Sequence, residues 1–590
     1  MIRNCFLIVA LLCSVVSANA QSPFSLPDHF RTERALPLLD FATDLDVKLS
    51  DFGAIPDDGK DDTQKIIKAL NFCKKITSAG STVKLVFEKG TYDLFSTTIK
   101  NKNKTHILSL NQAKNIIVDG NGSDIIVHDP GMGFFSIFKS ENVIVKNLVI
   151  DYDPLPFTQG TIVNVNMDDR YFELKIDEGF PQLSHPMFQE ANRVWGMVMD
   201  KEIPGKLKDG ARSLFGSQDF EEIAPNLFKV KFKGKKLLED LEVGDPYVHL
   251  ARTNGRTIFK TSLSKNITYL SNTSYTSPAG SYAAGNMEEW SVINCRVLMK
   301  EGRIHSANAD CFHINGGKFG PWIENSLFEG YSDDAVNFKS SKRQILKQLS
   351  PTELIVKFHV EKDDIIRIYN PRDGIYIGAF TVVDNKFQGD NKMKITLDKP
   401  IDIELNTGET KKNDIAYLDT ESNESFVIRN NTFRNARRFG LLLQSSYGLV
   451  ERNMFQNLSQ CAISMNNGVD WGEGFIAHDI VINQNVFDNC GYDATYFKDY
   501  NAAAIRLRVT KLKDPNNGKK WSGVATADWQ GLENIVITNN TFRYNKRALS
   551  IECTVNTVIK GNQFIMNPND PSEQSELILK NNNTNLVFDK

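Results

Sequence analysis

The sequence predicts an all-β protein in which short strands stack as the turns of a parallel solenoid, with two small antiparallel β-barrel domains inserted between turns. Three observations support this fold class: a strand–asparagine–strand unit recurs along the chain, a second strand type recurs between its copies, and two long stretches interrupt both. A chain of 590 residues is too long for one ordinary core, but it suits an elongated solenoid that carries insertions.

The first recurring unit is a short β-branched strand, a turn containing asparagine, and a second short strand that often holds an aromatic residue. Asparagine tolerates left-handed backbone angles and hydrogen-bonds locally, so it suits a tight corner met once per turn. Because stacked units bury one continuous apolar core, several copies in one chain indicate a solenoid. The copies lie at residues 115–121, 142–148, 266–272, 426–433, 480–487, 535–542 and 558–564.

The second recurring strand type turns alternate residues outward and predicts one exposed face of the solenoid. Its copies include residues 440–444, 462–466, 504–508 and 548–552. Residues 310–315 and 334–339 match this type, and they start 24 residues apart, which is a typical period for a repeat architecture. We therefore expect two successive turns whose apolar side chains point inward, namely Phe312, Ile314, Val336 and Phe338.

Three aspartates fall at one corner of these two turns and are the predicted catalytic residues. Asp310 and Asp334 take equivalent positions about 4.8 Å apart, and Asp333 lies beside them. Like charges that close raise the pKa of at least one carboxyl, so one acid stays protonated while another stays ionised. General acid and general base catalysis need this combination on one surface. We predict Asp333 as the general acid, with Asp310 and Asp334 holding and deprotonating a water.

Cleavage of a glycosidic bond suits such a site. It needs one carboxyl to protonate the leaving oxygen and one carboxylate to activate water or attack carbon. Inverting enzymes hold the two groups about 6.5–9.5 Å apart, and splayed side chains on neighbouring corners are expected to reach that range. The chain has no CxxC pair with zinc spacing, and its aspartate-rich loop 57–62 lacks the spaced ligands of a calcium loop. We predict neither a metal nor another cofactor.

Polar and aromatic side chains near the aspartates are predicted to contact the sugar. Arginine and lysine offer charged donors to hydroxyls, and tryptophan can stack on a sugar face. A surface charge is the alternative for the arginine, and core packing is the alternative for the tryptophan, which lies in a repeat strand. The predicted contacts are Arg303, His305, Asn308, His313, Asn315, Lys339 and Trp290.

Two interruptions of the repeat, residues 155–260 and 343–420, consist of short alternating strands and turns typical of antiparallel barrels. Both flank the aspartates, and we expect them to wall the site into a pocket that favours attack at a chain end. The predicted organisation is a signal peptide (1–20), a cap with the first solenoid turns (21–154), an inserted domain (155–260), the turns with the aspartates (261–342), a second inserted domain (343–420) and the last solenoid turns (421–590).

The first residues predict export. Arg3 precedes an apolar run at 6–16, and Ala18-Asn19-Ala20 offers a small-x-small cleavage site, as in a secretory signal peptide. We therefore expect a periplasmic or secreted protein, and no later stretch is apolar enough to cross a bilayer. The formal net charge of −3 and the absence of a basic run predict no nucleic-acid partner.

Six cysteines follow the predicted signal peptide, at 73, 295, 311, 461, 490 and 553. They are scattered, and most are predicted to be buried thiols that pack as small apolar groups. Their disulfide state and the oligomeric state of the chain stay open. Residues 64–76 predict a helix that covers the first open turn, capped by Asp62 or Thr63.

The opening segment DFGAIPDDGKDDT, followed by this helix, resembles the start of right-handed parallel β-helices of the pectin lyase type. The aspartate pattern resembles polygalacturonases, but the histidine-glycine and arginine-x-lysine segments usual there are not evident. The closer resemblance is to glycoside hydrolase family one hundred and ten, on the opening segment, the segments ADCFHINGG and YSDDAVNFK, and the two insertions.

This resemblance implies an inverting exo-α-1,3-galactosidase that needs no metal and carries Asp310, Asp333 and Asp334 as its catalytic residues. Its substrates would be oligosaccharides or glycoconjugates with terminal α-1,3-linked galactose, of the blood group B type or linear. Three alternatives remain: a polygalacturonase with a basic groove, a calcium-dependent β-helix lyase, and a non-catalytic glycan-binding β-helix.

Overall fold

The computed structural model describes residues 24–31, 33–98, 104–191, 193–217, 219–340, 342–516, 523–568 and 577–589. The predicted signal peptide at 1–20 lies outside these residues. The first described strand is Leu45–Lys48. Thirty strands then form one hydrogen-bonded sheet that winds through three parallel ladders, so the predicted parallel β-helix is confirmed.

Ladder one carries the second strand type. Its strands pair in parallel from turn to turn, and the longest of them bend around a corner into the next ladder. The strands are His106–Asn111, Gly133–Phe138, Phe259–Ser262, Tyr282–Ile293, Phe312–Gly317, Val336–Lys339, Leu441–Leu443, Ile463–Met465, Ile505–Leu507, Leu549–Lys560 and Ile578–Phe588.

Ladders two and three carry the strand–asparagine–strand unit. Ladder two consists of Leu45–Lys48, Val83–Val86, Lys114–Val127, Glu141–Tyr152, Lys265–Leu270, Trp322–Glu324, Val427–Arg429, Ser446–Glu451, His478–Asn483 and Leu532–Thr538. Ladder three consists of Thr91–Leu94, Thr273–Ser274, Arg296–Val297, Leu327–Glu329, Thr432–Ala436, Met454–Leu458, Val486–Cys490, Thr541–Arg543 and Gln563–Ile565.

Buried asparagines form a hydrogen-bonded column at the corner between ladders two and three. The side chain of Asn453 donates to Asn485 Oδ1 at 3.0 Å and accepts from the Asn431 amide at 2.9 Å. Asn540 and Asn562 continue the column. The adjacent phenylalanines stack in the core with ring centroids 4.9–5.3 Å apart: Phe328, Phe433, Phe455, Phe487, Phe542 and Phe564.

Replacement of a column asparagine should destabilise the solenoid. Asn453→Ala removes the acceptor of the buried Asn431 amide and the donor to Ile428 O at 2.8 Å, and each orphaned buried group costs about 1–3 kcal/mol. We expect a lower urea midpoint by circular dichroism. Asn164→Ala, at an exposed strand position of the first insertion, is the control and should leave the midpoint unchanged. Equal midpoints for the two variants would contradict this account of the column.

The capping helix spans Thr63–Ser78 and buries Ile66, Ala69, Leu70 and Cys73 against the first turns, as predicted. The predicted side-chain cap is wrong. Asp62 occupies the cap position but accepts no amide hydrogen bond there; its carboxylate pairs with Lys65 at 2.9 Å, and Asp61 accepts from the Thr63 amide instead. The shorter helices are Pro186–Glu190 and Ala494–Tyr500, and the 3-10 turns are Leu49–Phe52, Ser96–Thr98, Lys235–Leu237 and Asp419–Glu421.

The first insertion is a seven-stranded antiparallel sheet that does not close. It ends on one side in the two-residue strand Phe215–Gly216, which is too short to bridge to the opposite edge. In spatial order its strands are Phe215–Gly216, Arg193–Val198, Pro246–Arg252, Phe157–Asn166, Tyr171–Ile176, Leu227–Lys231 and Asp219–Ala224. The antiparallel character is as predicted, but the barrel is not formed here.

The second insertion is a closed six-stranded barrel, as predicted. In spatial order its strands are Arg343–Ser350, Glu353–Lys357, Lys392–Leu397, Ile375–Gly389, Ile365–Asn370 and Ile415–Leu418. A separate two-stranded hairpin, Thr510–Leu512 with Val524–Thr526, follows ladder one near its end.

All six cysteines are buried free thiols, which confirms their interpretation as small core groups. Among the described residues, no helix has the length and apolar character needed to span a membrane.

Candidate active site

The two aspartate segments are successive turns of ladder one, in the register that the sequence predicts. Phe312 pairs with Val336 and Ile314 with Phe338, and all four side chains are buried. The Cys311 amide donates to Asp334 O at 3.0 Å. Asp310 and Asp334 therefore occupy equivalent corners, and Asp333 lies beside them.

The three carboxyls form one compact cluster. One oxygen of each lies within 4.8 Å of those of the others, and the Asp334 amide donates to Asp310 Oδ1 at 2.9 Å. Asp310 and Asp333 are 6% and 7% exposed, whereas Asp334 is fully buried. The predicted separation of about 6.5–9.5 Å is wrong for these nearest oxygens, because the Asp334 amide holds the Asp310 carboxylate inside the corner.

Three arginines surround Asp333. Arg252, the last residue of strand Pro246–Arg252 in the first insertion, donates to Asp333 Oδ2 at 2.8 Å. Arg438 bonds Asp333 Oδ1, and its Nε lies 3.5 Å from Asp334 Oδ1. Arg437 donates to Ser332 O at 2.5 Å and lies 3.8 Å from Asp333 Oδ1. Both oxygens of Asp333 are thus ion-paired.

The electrostatic environments of the two neighbouring aspartates are opposite. Burial opposes ionisation of Asp333, but the charges of Arg438, Arg252 and Arg437 outweigh it and hold the pKa of Asp333 well below its usual range. Burial raises the pKa of Asp334 well above its usual range, and Asp333 and Asp310 add to the effect against the opposing charge of Arg438. The surroundings therefore favour the ionised form of Asp333 and the protonated form of Asp334.

This arrangement differs from the predicted roles, in which Asp333 was the general acid. An acid catalyst must carry its proton before the reaction, and the two guanidiniums on Asp333 favour its ionised form. Asp334 is the carboxyl whose surroundings favour protonation. Part of this difference has no signal in the sequence, because Arg252 reaches the cluster from another domain.

His313 and Asn337 are the outward residues of the two turns and contact the cluster. His313 Nδ1 lies 2.7 Å from Asp310 Oδ2, and Asn337 donates to Asp334 Oδ2 at 3.2 Å. His313 keeps a side chain that is 40% exposed. The structure thus places this predicted sugar contact both beside a carboxyl of the cluster and in solvent.

Asn315 and Lys339 lie two residues further along the same strands, paired with each other in register. Asn315 is exposed. Lys339 donates to Glu473 Oε1 at 2.6 Å, and Tyr417 of the barrel donates to the Glu473 carbonyl at 3.2 Å. This pair therefore lies at the barrel side of the face, away from the arginines.

Three of the predicted contacts form hydrogen bonds within the protein next to this corner: Arg303, His305 and Asn308. Arg303 binds Asp151 through two hydrogen bonds of 2.7 and 2.9 Å. His305 Nε2 bonds Asn308 Oδ1 at 3.0 Å, and Asn308 Nδ2 donates to Pro156 O at 2.7 Å. Burial lowers the pKa of His305 to about 4, against the bond from Asn308. His305 and Asn308 are fully buried, so these two predicted contacts attach the first insertion to the site instead of reaching solvent.

Trp290 is the predicted contact that the structure contradicts most directly. It is 1% exposed in the solenoid core, with its ring centroid 6.3 Å from that of Phe312. Two left-handed residues, Asn286 with φ of 49° and Glu289 with φ of 56°, interrupt the strand before it, and the indole packs inward. The alternative reading, core packing, is correct.

Sequence reasoning missed the arginines, although two of them carried a signal. In register, Val336 pairs with Leu441, so Arg438 is the residue of the next turn that matches Asp333. Residues 440–444 match the aspartate strands in pattern, so the same match places Arg437 and Arg438 at the corner of the next turn. Arg438 has φ of +108°, a conformation that residues with side chains rarely adopt and that often marks a functional corner.

Three carboxyls this close also have the spacing of a metal site. However, both oxygens of Asp333 already bind arginines, and Asp310 Oδ1 accepts from a backbone amide. Since the guanidiniums would repel a cation, the residues present do not fit a metal.

We therefore expect chelation to have no effect on activity. Dialysis against EDTA and then against excess Ca²⁺ should leave the rate unchanged, because arginines and not a cation balance the carboxylates. Loss of activity with EDTA and recovery with Ca²⁺ would contradict this and would favour a calcium-dependent lyase.

A comparison with family models agrees with the fold. A family model described as "Right handed beta helix region" matches residues 413–589. Among solved structures, the A-module of a mannuronan C-5 epimerase from Azotobacter vinelandii is 11% identical, with a TM-score of 0.40, and the match covers 92% of this chain and 100% of that one.

The fold and the cluster define a β-helix protein that carries the groups needed for glycosidic bond cleavage. Alpha-1,3-galactosidase A of Shewanella woodyi is 25% identical over 569 residues, covering 90% of this chain and 88% of the relative. Alpha-1,3-galactosidase B of Akkermansia muciniphila is 24% identical over 480 residues, covering 75% and 58%, so the chain spans less than two thirds of that relative. The chain is thus related over most of its length to the α-1,3-galactosidases, as the resemblance to glycoside hydrolase family one hundred and ten implied.

Proposed function

We propose that this protein is an α-galactosidase that hydrolyses terminal α-1,3-linked galactose from oligosaccharides and glycoconjugates. The observation that carries the proposal is the cluster of Asp310, Asp333 and Asp334, with carboxyl oxygens within 4.8 Å and opposite protonation preferences at two of them. The names of the curated relatives supply the linkage and the sugar.

The charges of the cluster support one assignment of roles. Asp334 donates a proton to the leaving oxygen, since its surroundings keep it protonated. Asp310, with His313 bound to it at 2.7 Å, deprotonates the attacking water, and the ionised Asp333 helps to orient this water. Positive charge that develops on the sugar ring is stabilised by the ionised Asp333.

Access to Asp334 requires a movement of Arg438. Asp334 is fully buried, and the Arg438 guanidinium lies over it at 3.5 Å. A galactose hydroxyl that accepts from Arg438 would draw this guanidinium away and expose the carboxyl. Binding of the substrate would then itself expose the carboxyl of Asp334.

The placement of the first insertion supports attack at a chain end. Arg252 and the Pro156–Asn308 bond bring this domain against the aspartates, where it would block a glycan from continuing past the terminal sugar. The proposed substrates are host-type glycans, both blood group B determinants and linear α-1,3-galactosyl chains. Export by the signal peptide predicted at 1–20 would bring the enzyme to them.

We propose inversion of the anomeric carbon, and the support is the family resemblance and not the separation of the carboxyls. Proton NMR of the first product decides it. Inversion gives β-galactose first and retention gives α-galactose. Initial α-galactose would refute inversion and leave the galactosidase proposal intact.

The proposed activity is tested by sugar release from matched substrates. We expect the purified protein to release galactose from a terminal α-1,3-galactosyl disaccharide and from the blood group B trisaccharide, and nothing from polygalacturonate. Release from polygalacturonate alone would replace the proposal with a polygalacturonase. Binding of the disaccharide without release, by titration calorimetry, would indicate a glycan-binding protein.

A further inference from the structure

Arg252 is the one charged contact that the first insertion makes with the carboxyl cluster within the described residues. Its Nη1 donates to Asp333 Oδ2 at 2.8 Å, and its Nε donates to Asn254 Oδ1 at 2.9 Å. Its guanidinium carbon lies 5.4 Å from the ring centroid of Trp195. Two residues of the insertion, Asn254 and Trp195, therefore orient the guanidinium independently of Asp333.

Arginines from two separate elements surround Asp333. Arg252 approaches from the inserted sheet, and Arg437 and Arg438 approach from the following solenoid turn. The acidic groups that face Asp333 are Asp334 and Asp310. Loss of any one arginine would thus leave the carboxylate buried with less compensation, since it is 7% exposed.

We propose that Arg252 is a positioning residue for the reaction, which fixes Asp333 in its ionised form and orientation so that the proton of the cluster stays on Asp334. The inference rests on the proposed function and extends it, because it makes the first insertion part of the catalytic machinery. A solenoid without this insertion would carry all three aspartates and still lack one of the arginines that separate their roles.

The test is the pH dependence of kcat/KM on the α-1,3-galactosyl disaccharide. The acid limb reports the carboxylate that must be ionised, and an adjacent arginine lowers the pKa of an aspartate by about 1–3. In Arg252→Gln and Arg252→Ala the pKa of Asp333 rises, so the acid limb should move to higher pH by about 1–3 pH units. Arg252→Lys restores the charge and should return the limb towards the wild-type position.

Arg212→Ala is the matched control, because Arg212 forms an ion pair with Asp240 at 2.9 Å in the same insertion. It should keep the wild-type profile. An acid limb that stays in place in folded Arg252→Gln, together with an unchanged titration of the Asp333 carboxyl, overturns the inference, since a purely structural role lowers the rate at every pH and moves neither. The glutamine side chain keeps the polarity and part of the length of arginine, and it serves if the alanine variant fails to fold.

A second readout separates this inference from the proposed function. The ¹³C carboxyl resonance of Asp333, assigned by its loss in Asp333→Asn, should stay ionised at low pH in the wild type and titrate at higher pH in Arg252→Gln. Wild-type protein that releases no galactose overturns the proposed function, and the NMR titration still decides the role of Arg252. Identical titrations in the two proteins would overturn it.

Discussion

Asp334→Asn should lower galactose release from an α-1,3-galactosyl disaccharide by about 10²–10⁴-fold. Asparagine keeps the size of the side chain and can still bond Asn337, but it has no acidic proton to give to the leaving oxygen. The sugar leaving group is a poor one and needs that proton. The measurement is kcat on the disaccharide, with the fold of the variant checked by circular dichroism.

An aryl galactoside distinguishes the acid from the base. Dinitrophenolate departs without protonation, so Asp334→Asn should recover much of its activity on dinitrophenyl α-galactoside. Asp333→Asn, which lacks the ionised group, should stay slow on both substrates. Recovery by Asp333→Asn and not by Asp334→Asn would return the acid role to Asp333, as the sequence alone had predicted.

Asp333→Ala should lose both activity and stability. It leaves the partly buried Arg252 and Arg438 without their partner, and removal of one member of a buried ion pair costs about 3–5 kcal/mol. Because Asp334 can ionise and pair with Arg438, we expect a loss near the lower end of that range. Urea denaturation followed by tryptophan fluorescence measures it.

The control for this loss of stability is an ion pair that is exposed to solvent. Asp168→Ala breaks the pair with Lys235, in which the aspartate side chain is 94% exposed. Such pairs contribute little to stability, and we expect no measurable change in the midpoint. A midpoint for Asp333→Ala equal to that of Asp168→Ala would show that the arginine cluster does not stabilise the fold.

The solenoid and the aspartate register could be predicted because their signals are local. The alternation in 310–315 and 334–339 fixed which residues point inward, and the matching offset fixed the pairing of the two turns. The repeat could be predicted in the same way from asparagines at left-handed corners, such as Asn115 with φ of 54° and Asn142 with φ of 52°.

The parts that failed depend on contacts between distant segments. Arg252 lies 81 residues from Asp333, and no periodicity connects an antiparallel insertion to a solenoid corner. Closure of the second barrel and not the first depends on which edge strands meet. Trp290 was misplaced because two left-handed residues, Asn286 and Glu289, interrupt the alternation of its strand.

The central claim is that successive turns of the solenoid bring Asp310 together with Asp333 and Asp334 in one hydrolytic site. Galactose release from the α-1,3-galactosyl disaccharide by Asp310→Asn tests it most directly, because asparagine preserves the oxygen that accepts the Asp334 amide at 2.9 Å. Asp488→Asn is the control, at a similarly buried aspartate that pairs with Arg543 on ladder three. The account predicts that folded Asp310→Asn loses at least about 100-fold in kcat while Asp488→Asn keeps wild-type activity. Wild-type activity in folded Asp310→Asn would contradict it.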